Sequence, residues 1–570
     1  MAVLYLIKKF RIAIDETPIC IFIDLSKAFY YVTPQGQSTS GSSAKYGVSS
    51  AKRRDSSAKL RVSSAKHIKG EDKVTMCADG VINEMTLQKK HYCPAGCRCE
   101  GFTIDCYAIN LNSNISFNPS VEILAGLLTG RYPVRTGVWN NEDRRAVFHQ
   151  ETTEGLPHTE VTIPEMLARQ GYKSSLIGKW HLGVGYNREY LPLHHGFDNY
   201  FGIPHTHADC PCEKCFFPDD NCTSQDSCNY SQAPCQLMLG DEIIEQPVNL
   251  IELAERQARA ARSWIQEYSC TGTPFFLMYA FLHTHIPNFA GKRFRNTTLG
   301  GEYTDSLAEL DWQVGEVMDE LKKSGVINNT LIIVTSDNGA ALGAVTKGGV
   351  SGVLRCGKGS IFEGGVRVPT VAFWQGRISS GISTEFLSQL DIWPTLRSLS
   401  GSSPDDFNVI LDGFDFSDVL FRNKKSTRSS MLYYHTKPDP RFGPYAVRNE
   451  RYKAHFIVEC EESCERSTSQ SDCPTTFHDP PLLYDLLLDP EERVDLSELE
   501  EFQQIIQDMT NLRLQESRKV QFAKSVLKAT NDDVQLCCDP GCQPFPSCCQ
   551  CASNYTEEMF PLNRACHLEC

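Results

Sequence analysis

Residues 174–183 of this chain read Ser-Ser-Leu-Ile-Gly-Lys-Trp-His-Leu-Gly. The short apolar run ends at Ile177, and Lys179 and His181 come directly after it. This order is typical of a buried strand whose C-terminal end carries polar residues. A cation and an imidazole placed so close together at the end of one strand suit a site that holds a small oxyanion.

The same pattern occurs twice more along the chain. An apolar run at 274–282 precedes the string His-Thr-His at 283–285, and another at 331–334 precedes the string Thr-Ser-Asp-Asn-Gly. Apolar residues keep helical spacing between these runs, over 250–265 and 307–321. This alternation predicts a mostly parallel α/β sheet, with functional residues gathered at the C-terminal ends of its strands.

The overall composition is that of a globular protein with an acid excess. The 570 residues are enough for two or more domains, and 41% of them are hydrophobic. The formal net charge is −14, and nucleic-acid binding usually needs a basic face, so no nucleic-acid partner is expected. An acidic chain that holds an anion needs a local positive pocket, which makes buried lysines informative.

Cysteines and glycosylation sequons favour the secretory pathway. The chain has 25 cysteines, too many for a typical reduced cytosolic enzyme. Lys8 and Lys9 interrupt the apolar run that begins at Met1, so the start is not a clean signal peptide. No run reaches the roughly 18 apolar residues of a transmembrane helix. The sequons lie at Asn114, Asn221, Asn229, Asn296, Asn328 and Asn554.

Residues 1–118 show no single architecture. Residues 21–29 are similar to a strand segment of reverse transcriptases, and a relic or chance similarity is the preferred interpretation. The string Ser-Ser-Ala-Lys recurs between residues 42 and 66 without an apolar seam, which predicts disorder. The cysteines between 93 and 106 resemble the cap of leucine-rich-repeat domains, with a zinc site as the alternative. We therefore interpret 1–118 as a chimeric or disordered segment.

A second region begins near residue 430. Residues 446–449 and 452–456 are typical of the shorter strands of a small antiparallel domain, and a helix is expected from about 498 to 528. The cysteines between 537 and 551 predict a local disulfide knot, for which a metal site is the alternative.

Four strings together resemble the sulfatase family. They are Leu-Thr-Gly-Arg-Tyr-Pro at 128–133, Gly-Lys-Trp-His-Leu-Gly at 178–183, Thr-Ser-Asp-Asn-Gly at 335–339 and Arg-Cys-Gly-Lys-Gly at 355–359. The resemblance implies an α/β fold of the alkaline-phosphatase-like type, in which a mixed sheet lies between helices. A smaller C-terminal antiparallel α+β domain would follow.

The resemblance also divides the chain. Residues 119–429 would form the catalytic-type α/β domain, truncated at its start, and residues 430–552 the C-terminal domain with the cysteine-rich tail. Residues 1–118 lie outside the family pattern, and residues 553–570 form a short tail.

Sulfate-ester hydrolysis needs cations on the sulfonyl oxygens, a nucleophile that attacks sulfur, and an acid for the leaving oxygen. By resemblance, Lys179 and Lys358 bind the sulfate. His181 would hydrogen-bond the hydroxyl of the nucleophile, and His285 would contact the sulfate and assist the leaving group. Thr206 stands where the family has a serine near the substrate.

A metal and a modified nucleophile are implied as well. Asp337 and Asn338 would be half of a calcium site, with magnesium as the alternative. The family completes this site with an Asp-Asp pair on its first strand, and no such pair occurs before residue 120. The family nucleophile is a formylglycine made from the cysteine of Cys-x-Pro-Ser-Arg. Here Ser120 takes the place of that cysteine, with Glu122 and Leu124 at the proline and arginine positions.

Three functional hypotheses remain open. The first is an arylsulfatase-type sulfuric ester hydrolase that acts on sulfated glycolipids or aryl sulfates in lysosomes or the secretory pathway, as a homo-oligomer by family. The second is a catalytically inactive anion-binding protein that lacks the formylglycine nucleophile and half of the calcium site. The third, a phosphatase of the same superfamily, is disfavoured by the Lys-Trp-His and Cys-Gly-Lys strings.

Overall fold

The computed structural model describes most of the chain from residue 120 onward, together with five short strands before it. The later residues are 120–140, 147–210, 232–342, 348–403, 407–435, 437–459, 464, 475–527 and 529–562. The early strands are β1 (Ala2–Tyr5), β2 (Arg11–Ile14), β3 (Thr17–Cys20), β4 (Cys97–Glu100) and β5 (Thr103–Cys106). The reverse-transcriptase-like segment, the Ser-Ser-Ala-Lys repeats and the sequons at Asn114, Asn221 and Asn229 lie outside the described residues.

The chain divides into two units. One comprises residues 1–11, 20–29 and 110–570, and the other comprises residues 12–19 and 30–109. Within the second unit, β4 and β5 pair antiparallel, with Cys97 opposite Cys106. The strands β2 and β3 form a separate two-stranded sheet.

An eight-stranded sheet is the framework of the first unit. Besides β1, its strands are β6 (Lys173–Lys179), β7 (Asn199–Ile203), β8 (Leu237–Leu239), β9 (Glu242–Glu245), β10 (Phe275–Ala280), β11 (Ile332–Ser336) and β12 (Thr370–Phe373). Their order across the sheet is β12-β11-β1-β10-β6-β7-β8-β9. Strands β10, β6 and β7 run parallel, whereas the pairs at both edges are antiparallel. The mixed α/β sheet expected from the sequence is confirmed.

Helices flank this sheet. They are α1 (Ser120–Thr129), α2 (Pro133–Thr136), α3 (Ile163–Ala168), α4 (Leu250–Thr271), α5 (Glu302–Lys323), α6 (Glu363–Val366), α7 (Ile392–Ser400) and α8 (Ser417–Arg422). The two helices predicted from apolar spacing, over 250–265 and 307–321, correspond to α4 and α5, and each is longer than predicted. Helix α3 packs against β6, and α4 packs against β6, β7 and β10.

The centre of the sheet departs from the pattern that the sequence implies. The strand β1 lies between β10 and β11 and runs antiparallel to both. The facing edges of β10 and β11 present backbone N–H and C=O groups that any extended segment can pair with. An apolar segment of unrelated sequence can therefore fill this position in the sheet. The sequence Ala-Val-Leu-Tyr contains no carboxylate. This central strand therefore brings no acidic pair to the sheet.

A separate four-stranded antiparallel sheet follows along the chain. It consists of β13 (Ser430–Tyr433), β14 (Ala446–Asn449), β15 (Tyr452–Glu459) and β16 (Thr475–Asp485), and helix α9 (Gln503–Ser517) packs against it. The helix expected over 498–528 is thus too long at both ends. Val520 and Phe522 pack on the core of this sheet outside any helix, and the amide of Ala523 donates to the carbonyl of Val134.

Disulfides account for the cysteine tail. Cys537 pairs with Cys549, Cys538 with Cys551, and Cys542 with Cys548. Because all six sulfurs are oxidised, they do not offer the thiolates that a metal site needs, and the disulfide alternative is the correct one. Among the described residues, disulfides elsewhere in the same unit join Cys210 with Cys235 and Cys356 with Cys464.

Gly178 is expected to be intolerant of any side chain. It lies in β6 with a φ of 113°, and a Cβ added there would meet the carbonyl oxygen of Ala280 on β10. We expect Gly178→Ala to lower the free energy of unfolding by about 3 kcal/mol or more, because backbone strain and a steric clash add. The control is Gly171→Ala, which shares a positive φ of 78° but has open space around the Cβ. Equal urea midpoints for the two variants would contradict this prediction.

Candidate functional site

The end of β6 and the turn that follows it place the first two candidate residues in the interior. Lys179 is the last residue of β6 and is 1% exposed, and His181 is 2% exposed. Between them Trp180 is fully buried, and its indole N–H donates to the carbonyls of Tyr190 (2.8 Å) and Gly183 (3.0 Å). The buried indole thereby fixes the turn that sets Lys179 and His181 at the strand end.

The ends of β7 and β10 meet beside this loop. The amide of His181 donates to the carbonyl of Pro204, 2.9 Å away, just after β7. The ring Nε2 of His207 lies 3.1 Å from the carbonyl oxygens of both His285 and Pro287, so it links the segments that follow the two strands. Thr206 is 6% exposed, and its hydroxyl accepts the amide of Ala208 at 3.3 Å.

The end of β11 and the loop at 355–365 supply the remaining candidates. Asp337 is 3% exposed and accepts the amide of Asn338 at 2.8 Å. The amide of Lys358 donates to the carbonyl of Ala340 at 2.7 Å, which ties the 355–365 loop to the segment that follows β11. Lys358 and His285 keep part of their surface exposed, unlike Lys179 and His181. They therefore mark the solvent side of the site.

Electrostatics show that these groups share one positive environment. Burial lowers the pKa of His181 well below its usual value, and Lys179, His205 and Lys358 lower it further. Burial also lowers the pKa of His285 well below its usual value, with Lys358 and Lys179 adding to the effect.

Burial also disfavours the charged form of Lys358. Burial lowers the pKa of Lys358, and the nearby carboxylate of Asp337 opposes this shift. Lys179 and Lys358 thus each contribute to lowering the pKa of both imidazoles. An anion that enters the site would offset this positive field.

Unsatisfied polar atoms point to a ligand. Both ring nitrogens of His181 and of His205 are buried and have no hydrogen-bond partner within the described part of the chain. Buried polar groups in native proteins are normally paired, so such atoms need an explanation, and a bound oxyanion is one. The backbone of His181 also adopts a φ of 60°, a strained conformation of the kind that clusters at functional sites.

The donor set at the end of β11 suits a hard divalent cation in part. The Oδ1 atom of Asn338 is buried and lacks a hydrogen-bond partner among residues for which side chains are described, while its Nδ2 donates to the carbonyl of Gly339. Carboxylate and amide oxygens are the donors that calcium and magnesium take. Asp337 and Asn338 fit that chemistry, but calcium takes 6–8 oxygen ligands, so two residues are an incomplete set.

The nucleophile position is the least defined part of the site. Ser120 is the first residue of α1, and its side chain lies outside the described residues. The Leu-Thr-Gly-Arg string that locates it by counting is at the end of the same helix, where Leu128 and Thr129 are buried.

Two histidines that no sequence motif singled out lie beside Thr206. His205 and His207 flank Thr206 and are 3% and 0% exposed, and burial lowers the pKa of each to about 3. Their position directly after an apolar strand was the available signal. His283, in contrast, pairs with Glu309 at 2.8 Å in the interior and has a structural partner.

Two family models match this chain. Residues 108–402 match the family model described as Sulfatase, and residues 426–551 match that of the C-terminal region of aryl-sulfatase. Arylsulfatase A of Bos taurus is 40% identical over 439 residues, which are 75% of this chain and 85% of the relative. N-acetylgalactosamine-6-sulfatase of Mus musculus is 33% identical over a match that covers 76% of this chain and 84% of the relative.

Solved structures agree on the architecture. The PsFucS1 sulfatase from Pseudoalteromonas sp. superimposes with a TM-score of 0.59 at 25% identity, and the match covers 72% of this chain and 83% of that one. Among the described residues, no helix is long and apolar enough to cross a membrane.

Proposed function

We propose, from the premise that this chain belongs to the sulfatase family, that its cationic site holds the sulfate group of a sulfate ester. By family the protein is an arylsulfatase-type sulfuric ester hydrolase. The observation that supports the proposal is that burial lowers the pKa of His181 and of His285 and that Lys179 and Lys358 add to this effect on both, with these residues at the ends of two parallel strands and on one loop. The sulfate group of an ester offers three non-bridging oxygens and a negative charge to such a site.

Each residue has a defined task in this proposal. Lys179, at the buried end, and Lys358, at the solvent side, would hold the sulfonyl oxygens by charge-assisted hydrogen bonds. His181 would orient the hydroxyl of the nucleophile. His285 would give a proton to the leaving oxygen, and a bound anion raises the pKa of an imidazole that the lysines otherwise depress. Thr206 would contribute its hydroxyl beside the substrate.

Sulfatases generally depend on calcium. We propose that Asp337 and Asn338 hold the protein's share of a calcium or magnesium ion, which when bound polarises the sulfonyl oxygens. The other ligands of the family site are absent from the sequence before residue 120, where no Asp-Asp pair occurs.

A second candidate function is binding of sulfate esters without turnover. The observation that favours it is the sequence at 120–124, Ser-Val-Glu-Ile-Leu, in place of the family's Cys-x-Pro-Ser-Arg. Loss of a covalent nucleophile costs a hydrolase about a million-fold in rate. A serine that is not converted to formylglycine therefore leaves the anion site intact and the chemistry nearly stopped.

Turnover of an aryl sulfate separates the two candidates. We expect the hydrolase to release 4-nitrophenol from 4-nitrophenyl sulfate in calcium buffer, with loss of the activity in Ser120→Ala and an oxidised residue 120 by mass spectrometry. Saturable sulfate binding with no turnover and an unmodified Ser120 would establish the binding protein instead. Absence of both sulfate binding and turnover would contradict the proposed function itself.

Substrate, location and assembly belong to the same proposal. The sulfate ester would be a small aryl sulfate or a sulfated glycolipid, and the protein would act in lysosomes or the secretory pathway as a glycosylated homo-oligomer. Residues 119–429 would be the catalytic-type domain and residues 430–552 the C-terminal domain. The exposed sequons at Asn296, Asn328 and Asn554 support glycosylation at those positions.

A further inference from the structure

A cluster of buried charges connects the loop that carries Lys358 to the four-stranded sheet. The side chains of Glu363, Lys453 and Glu492 are all 0% exposed. The Nζ atom of Lys453 lies 3.0 Å from Glu363 Oε1 and 3.4 Å from Glu492 Oε1. Glu363 closes the Lys358 loop, whereas Lys453 lies on β15 and Glu492 follows β16. The cluster therefore bridges two parts of the chain that are distant in sequence.

Glu492 is the centre of this cluster. Its Oε1 atom lies 2.8 Å from His455 Nε2, and its Oε2 atom accepts the amide of Glu363 at 2.5 Å. Its own carbonyl accepts a guanidinium N–H of Arg355 at 3.1 Å. Arg355 begins the loop and Glu363 ends it, so one residue outside the loop holds both of its ends. Glu492 does so with a φ of 54°, a strained conformation for a residue with a side chain.

Aromatic packing seals the same junction. The ring of Phe362 stacks on that of His455 with centroids 4.6 Å apart, and the guanidinium of Arg355 lies 4.0 Å from the Phe362 centroid. Arg355 also donates to the Tyr484 hydroxyl at 3.1 Å. Water is thereby kept from the ion pairs, which strengthens their electrostatic coupling.

Glu363, Lys453 and Glu492 remain charged although they are buried, because each carboxylate lies close to the ammonium of Lys453. Burial raises the pKa of Glu492, but Lys453 and His455 outweigh it and hold the pKa at about 2. Burial lowers the pKa of Lys453, but Glu492 and Glu363 outweigh it and raise the pKa. A buried ion cluster adds little stability over apolar residues of similar volume, and its best-attested role is to specify one arrangement.

The buried cluster contacts the two ends of the loop that carries Lys358. Within the loop, the amide of Gly364 donates to the carbonyl of Arg355 at 2.9 Å and closes its base. The amide of Lys358 donates to Ala340, and the amide of Gly339 donates to Gly365 at 3.0 Å. The base of the loop is thus held by Glu492, the backbone of Lys358 is held by the segment after β11, and the carboxylate of Asp337 acts on the Lys358 ammonium.

We propose that Glu492 and Lys453 are positioning residues, which hold the 355–365 loop so that the Lys358 ammonium stays in the anion site. The inference rests on the proposed function for the role of Lys358, but the position of Lys358 can be measured without any ligand. Amine labelling followed by mass spectrometry reports how accessible each lysine is. Lys179 and Lys173, at the two ends of β6, serve as internal references.

The decisive variant is Glu492→Gln, which keeps the shape and removes the charge. We expect it to raise the labelling rate of Lys358 by about tenfold through local opening, with no change at Lys179 or Lys173. The matched control is Asp485→Asn, which changes a 5% exposed carboxylate at the end of β16 that pairs with Arg451 at 2.6 Å. It removes an equivalent charge and should leave the labelling of Lys358 as in the wild type.

Lys453→Arg keeps the proposal testable if Glu492→Gln does not fold. It retains the charge in a larger head group, and we expect a smaller rise in Lys358 labelling, about two- to threefold. A folded Glu492→Gln or Lys453→Arg in which Lys358 labelling equals the wild-type rate would overturn the proposal. So would a rise that is equal at all three lysines, because that indicates general loosening.

Sulfate titration of the same proteins separates this inference from the proposed function. If the wild type does not bind sulfate while Glu492→Gln exposes Lys358, the proposed function fails and the positioning role stands. If the wild type binds sulfate and Glu492→Gln changes neither the affinity nor the Lys358 labelling, the positioning role fails alone. If the proposed function and the positioning role both hold, Glu492→Gln exposes Lys358 and binds sulfate about tenfold more weakly than the wild type.

Discussion

Lys179→Met is expected to weaken sulfate binding by about 100-fold or more, the effect of removing one partner of a desolvated charge pair. Lys179 is 1% exposed at the end of β6, and its field lowers the pKa of His181, His207 and His285. Methionine preserves the volume and the apolar stem but not the charge. Isothermal titration with sodium sulfate at constant ionic strength gives the affinities.

The control for this prediction lies on the same strand. Lys173 begins β6, and its side chain is 49% exposed and pairs with Asp198 at the surface. Lys173→Met removes the same charge from the same strand, so it should leave sulfate binding within error of the wild type. Equal losses in the two variants would mean that net charge, not the site, attracts sulfate.

Arg428→Ala is expected to destabilise the protein by about 3–5 kcal/mol, because it leaves a buried carboxylate without its cation. Arg428 and Asp391 are each 1% exposed, and the guanidinium holds both carboxylate oxygens, with Nε 3.0 Å from Oδ2. The same guanidinium donates to the carbonyls of Ser430 and Asp412, each at 3.0 Å. The urea midpoint of unfolding measures the loss.

Two comparisons test the physical reason. Arg422→Ala breaks an exposed pair with Asp418, in which the side chains are 67% and 43% exposed, and it should shift the midpoint little. The double variant Arg428→Leu with Asp391→Leu removes both buried charges and should be more stable than Arg428→Ala. A double variant that is as unstable as the single one would show that hydrogen-bonded geometry, not unpaired charge, sets the cost.

The strands and helices around the site could be predicted because their patterns are local. The apolar run before Gly178 is a strand of one sheet, and the helical spacing over 307–321 belongs to α5. The placing of Lys179 and Asp337 at strand ends followed from these runs alone. Helix α9 was predicted too long, since Val520 and Phe522 keep an apolar pattern while packing outside the helix.

Long-range pairing set the limit of prediction. Nothing in Ala-Val-Leu-Tyr predicts that β1 would lie between β10 and β11, because any extended apolar segment can satisfy the two backbone edges. The cluster of Glu363, Lys453 and Glu492 was equally inaccessible, since its members are up to 129 residues apart. In the sequence each reads as an ordinary surface charge, and burial emerges only when the 355–365 loop packs against the four-stranded sheet.

The candidate lysines were named from sequence motifs, whereas two neighbouring histidines were missed. Lys179, His181 and Lys358 were named from motifs, and the structure brings them into one electrostatic environment. His205 and His207 were missed although they follow β7 directly. No motif predicted a nucleophile or further metal ligands, because residues 120–124 read Ser-Val-Glu-Ile-Leu and the β1 sequence Ala-Val-Leu-Tyr contains no carboxylate.

Protection of lysines by sulfate tests the central claim most directly. The unmodified protein is labelled at its amines with and without sodium sulfate at matched ionic strength, and the rate at each lysine is read by mass spectrometry. Lys179 is 1% exposed, so the solvent-side Lys358 is the lysine whose labelling reports on the site. The cationic site predicts that sulfate slows labelling at Lys358 and leaves Lys173 unchanged. An unchanged rate at Lys358, or equal slowing at Lys173, would contradict an anion site at the ends of these strands.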